Sequence, residues 1–259
     1  MPLAVNYQMK NLFTRNRVIS LIVILFLLFG WEWLSLQFKS RQILPNPVDT
    51  LAALVNLATK PDFLSALGFT LFRGMLGFTF AFLAAILIGI PSGLHSGFEA
   101  AFKPILIIIR STPVIAIILL ALIWFQSDQV PVFIGFLTMF PILAINISQG
   151  IRETDPAYIQ MANLYRIKKW RILTDIYWPS ILPYLFSGAS TAAGFGWRSV
   201  IIGEVLSQPR YGIGAMMQDA QSYLLVSEVI AWTVVAILIG AVFELIIRRV
   251  EKRTILWKR

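Results

Sequence analysis

Few side chains in this sequence are able to perform acid–base, nucleophilic or metal chemistry. Its 259 residues include no Cys and a single His, His95, which excludes disulfides, thiolate nucleophiles and zinc motifs that need two His residues. The sequence also lacks the G-x-x-x-x-G-K-[ST] loop that holds the phosphates of ATP. An intramembrane protease needs a Ser–His pair, paired Asp residues or a metal inside its bundle, and every Asp here falls outside the apolar segments. We therefore expect a protein that is not an enzyme and binds neither a cofactor nor a metal.

Several ionisable residues lie within or beside apolar segments, where a charge is costly and usually has a function. If Arg198 points inward, its guanidinium would attract an anionic substrate through paired hydrogen bonds. The alternatives are that Arg198 reaches the membrane interface or pairs with a carboxylate of another span. Arg73 and Glu204 would either line an outer gate or form a structural ion pair. Glu244 and Arg248 are four residues apart, which predicts a pair on a helix surface.

The apolar segments themselves predict an all-α membrane protein. Hydrophobic residues make up 58% of the chain and charged residues 14%, whereas a soluble domain has about 25% charged residues. A helix needs about 20 mostly apolar residues to cross a membrane. Six segments meet that requirement, namely residues 18–36, 69–90, 105–125, 131–147, 181–202 and 226–247. We expect a single transmembrane domain over residues 1–259, with the first segment retained because it is long for a signal peptide and lacks a cleavage site.

The net charge of +9 is distributed as in a membrane protein, and the charges are too sparse for a nucleic-acid-binding face. Most of the 22 Lys and Arg residues fall at the termini and in the connections that six spans would place on the same side. Cytoplasmic loops carry an excess of Lys and Arg. We therefore expect both termini and the connection of residues 148–180 to be cytoplasmic, in an inner membrane whose lipids surround the chain.

The connection of residues 148–180, which we call the elbow, predicts two short helices rather than a flexible linker. Asp155 suits the N-cap of the first helix, and a Pro follows at its first position. After a basic turn, Trp170, Leu173 and Tyr177 recur at helical spacing in the second helix. On the residues alone, the elbow either docks on a partner protein or lies in the lipid headgroups with its Lys and Arg toward phosphate.

The elbow resembles the coupling loop in permease subunits of ATP-binding-cassette importers. That loop has the approximate pattern E-A-A, three residues, G, nine residues, I-x-L-P. Gln160, Met161 and Ala162 stand in the place of E-A-A, Arg166 in the place of Gly, and residues 176–179 in the place of I-x-L-P. Because Gly permits a left-handed turn that Arg adopts only at some cost, we expect a turn of different shape at Arg166. The replacement of the acid by Gln160 implies a different contact with the ATPase.

Further stretches resemble the sulfonate, taurine and nitrate branch of these permeases. Residues 66–90 are similar to the T-L-x-R-x-x-x-G-F stretch that opens the transport core, with Thr70 and Arg73 at matching positions. The other matches, which occur in order within residues 40–255, are Arg110 to Pro113, Pro141, Asp155 to Ala157, Trp197, Glu204 and Gly212 to Gly214.

The resemblance implies the fold of a type I importer permease, with the elbow between spans four and five. Such permeases work as two transmembrane subunits, commonly a homodimer, with two cytoplasmic ATPases and an extracytoplasmic solute-binding protein. ATP draws the ATPases together, and coupling helices in the loop transmit that motion to the spans. The residues that we assign to ATPase coupling are Asp155, Ile159, Gln160, Met161, Ala162, Arg166, Trp170, Leu173 and Pro179. The candidates for the pathway are Arg198, Glu204 and Arg73.

The resemblance also implies a small anionic solute, such as a sulfonate, taurine or nitrate. An alternative is that the same machinery imports a pyrimidine, a thiamine precursor or a flavin-like compound. A further alternative is an ATP-independent secondary transporter or channel, which would have more charged residues at mid-membrane depth.

Overall fold

The structure is a computed structural model that describes residues 2–38 and 43–254, with side chains described from residue 18 onward. Expectations for residue 1, residues 39–42 and residues 255–259 lie outside the described residues. The described chain is helical throughout and contains no strand. Its α-helices are α1 (Pro2–Gln37), α2 (Pro47–Thr59), α3 (Asp62–Leu94), α4 (Ser96–Ser111), α5 (Val114–Trp124), α6 (Val130–Arg152), α7 (Pro156–Leu164), α8 (Lys169–Ile172), α9 (Trp178–Ser207), α10 (Ile213–Ser222) and α11 (Val226–Thr254). A π-helical turn over Leu173–Tyr177 joins α8 to α9.

The contacts within the chain define two compact units. The first unit combines the residues up to Lys60 with Ala220–Trp232. In it, α2 begins where the side chain of Asn46 accepts a hydrogen bond from the Asp49 amide at 2.6 Å. The Lys60 ammonium pairs with the Glu228 carboxylate at 2.9 Å. The N-cap of α2 is therefore Asn46, and Pro47 occupies its first turn.

The second unit, Pro61–Asp219 with Thr233–Arg259, has its core where α3, α6 and α9 pack together. Small residues face one another in this core and let the helices approach closely. Examples are Ala85 of α3, Ala144 of α6 and Ala192 of α9, each of which is almost completely buried. Larger side chains such as Leu143 fill the space between them, so packing of apolar residues sets the positions of these three helices.

Four helices of the described residues are long and apolar enough to cross a membrane, namely Val18–Gln37 within α1, α3, α6 and α11. The pair α4 and α5 passes the same test together but is bent by 95°. Helix α9 has 30 residues but is not among the candidates, and its middle is rich in Ala, Gly and Ser. The structure therefore supports four or five spans by length and composition, and the sixth stays a prediction.

The segment 105–125, which was expected to be one span, instead contains two helices with a break at Thr112 and Pro113. Pro113 has no N–H and disfavours the α conformation in the residue before it. Thr112 is accordingly extended, with ψ of 128°, and its amide makes the last hydrogen bond of α4, to the Ile108 carbonyl at 3.0 Å. The helix over 105–125 is therefore broken, whether the bent pair forms one span or a re-entrant loop, and the Pro that breaks it was visible in the sequence.

The close packing of α9 on α6 predicts that a methyl group added at Gly203 will destabilise the chain. A Cβ atom there would lie 2.9 Å from Cα of Pro131, whereas a Cβ atom at Gly194 of the same helix would meet nothing within 4 Å. Because the Pro131 backbone cannot rotate away, we expect Gly203→Ala to lower the free energy of unfolding by about 1–3 kcal/mol. Thermal unfolding of the purified chain in detergent measures the change in stability. Gly194→Ala is the matched control and should not lower the unfolding temperature. Equal losses at the two positions would contradict the packing described.

Candidate functional site

A polar cluster, consisting of Thr70, Arg73, Asp128 and Glu204, joins α3 and α9 to the connections before α6 and α10. Nη1 of Arg73 lies 2.6 Å from Oε1 of Glu204, and their side chains are only 3% and 0% exposed. The same Nη1 donates a hydrogen bond to the Tyr211 carbonyl at 2.7 Å. Nη2 of Arg73 pairs with the carboxylate of Asp128, which is largely exposed. Of the two alternatives for Arg73 and Glu204, the structure thus contains the ion pair.

The second carboxylate oxygen of Glu204 holds the beginning of α10. Oε2 accepts hydrogen bonds from the Thr70 hydroxyl at 2.9 Å and from the Gly214 amide at 3.0 Å. The Ile213 amide donates to the Thr70 hydroxyl oxygen at 2.8 Å. A Cβ atom at Gly214 would lie 2.4 Å from the Ile201 carbonyl, so only Gly allows α10 to approach α9 this closely. Residues from the separate matching stretches at 70–73 and 204–214 therefore meet in one cluster.

Two parts of this cluster were not predicted from the sequence. No role was predicted for Asp128, although Asp128 is the only acidic residue between Glu99 and Glu153. No helix was predicted over Ile213–Ser222, where Gly and polar residues weaken the helical pattern. The unique acid was a signal that could have pointed to Asp128, whereas no local signal predicts that α10 is held by a distant carboxylate.

The first helix of the elbow begins as its sequence predicts. The Asp155 carboxylate accepts a hydrogen bond from the Ala157 amide at 2.8 Å, and Pro156 occupies the first turn of α7. Ala162 is fully buried and Ile159 is half-buried, so these two residues face the protein. Their position fixes α7 in place and leaves its other side open to a partner.

The open side of the elbow carries several large apolar side chains. The exposed apolar residues on or next to α7 and α8 include Tyr158, Met161, Leu164, Tyr165, Ile167 and Trp170, and exposed basic residues such as Lys168 and Lys169 lie beside them in the chain. The three most exposed, Leu164, Tyr165 and Trp170, have more than 70% of their surface accessible. Contiguous exposed apolar surface of this kind marks an interaction site with a protein or a membrane.

Arg166 ends α7 in the left-handed conformation, with φ of 54°. The Ile167 amide donates to the Ala162 carbonyl at 2.9 Å, and the Arg166 amide donates to the Asn163 carbonyl at 3.0 Å. This pair of bonds is the Schellman motif, which usually has Gly at the left-handed position. The expectation of a differently shaped turn was therefore wrong, because Arg166 adopts the conformation for which Gly is preferred.

The second half of the elbow differs from a regular helix. Helix α8 has four residues and continues into the π-helical turn, so the stripe predicted from Trp170, Leu173 and Tyr177 is divided. Trp170 is exposed, whereas Leu173 and Tyr177 are half-buried. Pro179 lies in the first turn of α9, where a missing N–H costs no hydrogen bond. Trp170 thus lies on the open side of the elbow, whereas Leu173 and Pro179 are half-buried and lie toward the rest of the protein.

Arg198 lies on an exposed face of α9 and forms no ion pair within the described part of the chain. It lines a cavity of about 320 Å³ together with Glu244 and Arg248 of α11. Those two residues form the expected pair, with Nη2 of Arg248 2.6 Å from Oε1 of Glu244. Arg198 therefore faces open space beside a carboxylate that is already paired. No group of three His, Asp or Glu residues able to hold a metal occurs among the residues the structure describes.

Residues 77–256 match the family model described as the binding-protein-dependent transport system inner membrane component. The chain belongs to this family. A taurine transport system permease protein of Escherichia coli is 28% identical over 237 residues, covering 88% of this chain and 84% of that protein. A putative aliphatic sulfonates transport permease protein of Bacillus subtilis is 25% identical over 231 residues, 88% of this chain and 83% of its own length. A bicarbonate transport system permease protein of Synechococcus elongatus is 33% identical over 168 residues, 64% of this chain and 59% of its own.

Membership of this family confirms the resemblance drawn from the motifs. The chain is a multi-pass membrane permease of a binding-protein-dependent ATP-binding-cassette importer, in the sulfonate, taurine and nitrate branch. Its helical structure fits the type I importer permease fold. The relatives are transport permeases rather than enzymes, and hydrolysis of ATP belongs to the partner ATPase.

The burial of the Arg73–Glu204 pair predicts a large loss of stability when one partner is removed. We expect Glu204→Ala to lower the free energy of unfolding by about 3–5 kcal/mol, because it removes the buried carboxylate and leaves the Arg73 guanidinium only the largely exposed Asp128 carboxylate as a charged partner. Removing the other charge as well, in Arg73→Met with Glu204→Leu, should recover part of that loss. Glu228→Ala breaks the exposed pair with Lys60 and serves as the control, with an expected loss below about 1 kcal/mol. Chemical unfolding in detergent followed by Trp fluorescence measures all variants, and a Glu204→Ala loss no larger than that of Glu228→Ala would count against the cluster.

The left-handed conformation of Arg166 predicts that Gly stabilises the elbow. A left-handed residue other than Gly costs about 1–2 kcal/mol, so Arg166→Gly should slow amide hydrogen exchange over residues 162–168. Arg171 is exposed and helical, so Arg171→Gly should instead loosen its segment by about 1 kcal/mol. Hydrogen exchange read by mass spectrometry compares the two variants. Faster exchange in Arg166→Gly would show that the turn does not need a left-handed residue.

Proposed function

We propose that this permease forms, as a homodimer, the membrane pathway through which a small anionic solute is imported. Two cytoplasmic ATPases bind the two elbows, and an extracytoplasmic solute-binding protein delivers the solute. Both termini and the elbow lie on the cytoplasmic side of the inner membrane. The observation that carries this proposal is the open apolar side of the elbow in a chain that belongs to an ATP-driven importer family.

The geometry of the elbow supports docking on a protein over simple burial in headgroups. A helix that only lies in headgroups needs an apolar face and a basic face, but it does not need fixed ends. Here the Asp155 cap fixes the beginning of α7, and the two hydrogen bonds around Arg166 fix its end. A segment held at both ends transmits a displacement of a few ångströms to α6 and α9, as coupling to an ATPase requires. Ala162 contributes to that rigidity, whereas Leu164 and Trp170 provide the surface for docking.

The substrate class rests on the relatives and on the basic residues that face cavities. The names of the three relatives give sulfonates, taurine and bicarbonate as what they transport, and each of these carries an anionic group. In this chain Arg110 and Arg198 line open cavities without a carboxylate partner among the described residues. Import of a pyrimidine, a thiamine precursor or a flavin-like compound by the same machinery is the alternative. An ATP-independent transporter is a weaker alternative because it would need no exposed elbow.

The decisive experiment truncates the side chains of exposed elbow residues and measures binding of the ATPase. We expect Leu164→Ala and Trp170→Ala to weaken binding of the ATPase by about tenfold or more, as truncation of a central interface residue does. The unfolding temperature of the chain should stay unchanged, since both side chains are exposed. The permease is purified with its ATPase in nanodiscs, and binding and ATP hydrolysis are measured. Leu64→Ala removes a side chain of equal exposure from the first turn of α3 and is the matched control.

The same preparation tests the substrate class. Solute-binding protein loaded with taurine, an alkanesulfonate, bicarbonate, a pyrimidine or a flavin is added, and the stimulation of ATP hydrolysis is compared. Stimulation by an anion-loaded protein, lost in Trp170→Ala, is the outcome that we expect. A stable chain that binds no ATPase would refute the importer mechanism, and stimulation only by an uncharged solute would refute the anionic class.

A further inference from the structure

Two cavities of the second unit share one basic residue, Arg110. The first, which we call the hydroxyl cavity, has a volume of about 470 Å³ and lies where the broken pair α4 and α5 faces α6 and α9. The second, which we call the charged cavity, has a volume of about 440 Å³ and lies between α4 and α6 near Glu99 and Arg152. Arg110 and Ile145 line both cavities, so they stand at the junction.

The hydroxyl cavity has the size and lining of a site for a small solute. Ligand sites usually have volumes of about 300–1,000 Å³, mostly apolar walls and a few polar groups. The polar residues that line this cavity are Arg110, Thr112, Thr138, Asn146, Thr191 and Ser199. None of the described residues that line it is acidic, so its only full charge is the guanidinium of Arg110. The field inside the cavity therefore favours an anion.

The hydrogen bonds of the lining residues show which groups are able to donate to an anion. The hydroxyls of Thr138 and Thr191 donate to carbonyls of their own helices at 2.9 and 3.0 Å. Nδ2 of Asn146 donates one hydrogen to the Ile142 carbonyl at 2.8 Å, which leaves its second N–H available. Arg110 makes no hydrogen bond or ion pair within the described part of the chain and keeps all five N–H groups. The free donors are thus those of Arg110 and Asn146.

The charged cavity, on the other side of the junction, also has more basic than acidic lining residues and so also favours an anion. Three basic residues, Lys103, Arg110 and Arg152, line it with two acidic residues, Glu99 and Glu153. Glu99 pairs with Arg152, so one basic and one acidic side chain there neutralise each other. The broken backbone at Thr112 and Pro113 lies beside Arg110, and irregular backbone within a membrane is tolerated where it lines a cavity or is buried in protein.

We propose that Arg110 binds the anionic group of the transported solute at the junction of the two cavities, with the free N–H of Asn146 as a second donor. This assignment rests on the proposed import function and names the site through which the solute passes. Its rival is a purely structural role, since a basic residue in the last turn of α4 also stabilises that helix end. The two roles differ in one respect, because only the first requires Arg110 to set the charge preference of the hydroxyl cavity.

The absence of Cys from the sequence allows a direct measurement of that charge preference. Thr112 lines the hydroxyl cavity two residues from Arg110, so Thr112→Cys places the only thiol of the chain there. Membrane vesicles that contain the full chain are treated with methanethiosulfonate reagents bearing either a negative sulfonate or a positive trimethylammonium group. The ratio of the two labelling rates reports the local potential. Thr59→Cys is the control, because Thr59 is exposed at the end of α2 and also bonds to its own helix.

We expect Arg110→Gln to lower the ratio of anionic to cationic labelling at Thr112→Cys by about fivefold or more, as loss of a charge at close range requires. Arg110→Lys, which keeps the charge, should retain most of the ratio, and neither variant should change it at Thr59→Cys. Ethanesulfonate should slow labelling of Thr112→Cys when Arg110 is present and not in Arg110→Gln. The structural role predicts the same ratio in all Arg110 variants.

An unchanged ratio in Arg110→Gln would overturn the assignment, as would a Thr112→Cys thiol that neither reagent reaches. Equal protection by ethanesulfonate with and without Arg110 would overturn it too. Because the labelling needs neither the ATPase nor the solute-binding protein, its outcome is independent of whether the elbow docks as proposed.

Discussion

The ion pair between Arg73 and Glu204 is the interaction on which the arrangement of the second unit depends. A charge buried to this degree is tolerated only when its partners are complete, and every oxygen of Glu204 has a donor. Those donors come from α3 and from the first turn of α10, while Glu204 itself belongs to α9. One carboxylate thus fixes three elements that apolar packing alone would allow to slide, because apolar contacts have no direction.

The sequence predicts those features of the fold that depend on nearby residues. Apolar segments of sufficient length correspond to α1, α3, α6 and α11, and Asp155 caps α7 as its side-chain chemistry requires. The 95° bend between α4 and α5 could not be predicted from the apolar pattern. A run of apolar residues indicates how long a buried segment is, but not the direction in which its helices point. The contact of Arg73 with Asp128 was equally inaccessible, since nothing local connects residues that are 55 positions apart.

In the elbow, the position of a residue in the family motif predicts its backbone conformation better than the type of the residue does. Arg166 departs from the family's Gly, yet the hydrogen bonds around it demand a left-handed residue and Arg supplies one at some cost in energy. The division between exposed and half-buried elbow residues was not predictable from spacing. It depends on the π-helical turn over Leu173–Tyr177, which changes the rotation per residue after Trp170.

Four arginines of the second unit, namely Arg73, Arg110, Arg198 and Arg248, fall into two groups that differ in their partners. Arg73 and Arg248 have carboxylate partners, and their contribution is to structure. Arg110 and Arg198 face cavities and have no partner within the described residues. Arg110 and Arg198 are both exposed, so an anion that enters either cavity meets a guanidinium whose N–H donors no carboxylate of the described residues has taken. The proposed anionic pathway therefore depends on these two arginines and not on the paired ones.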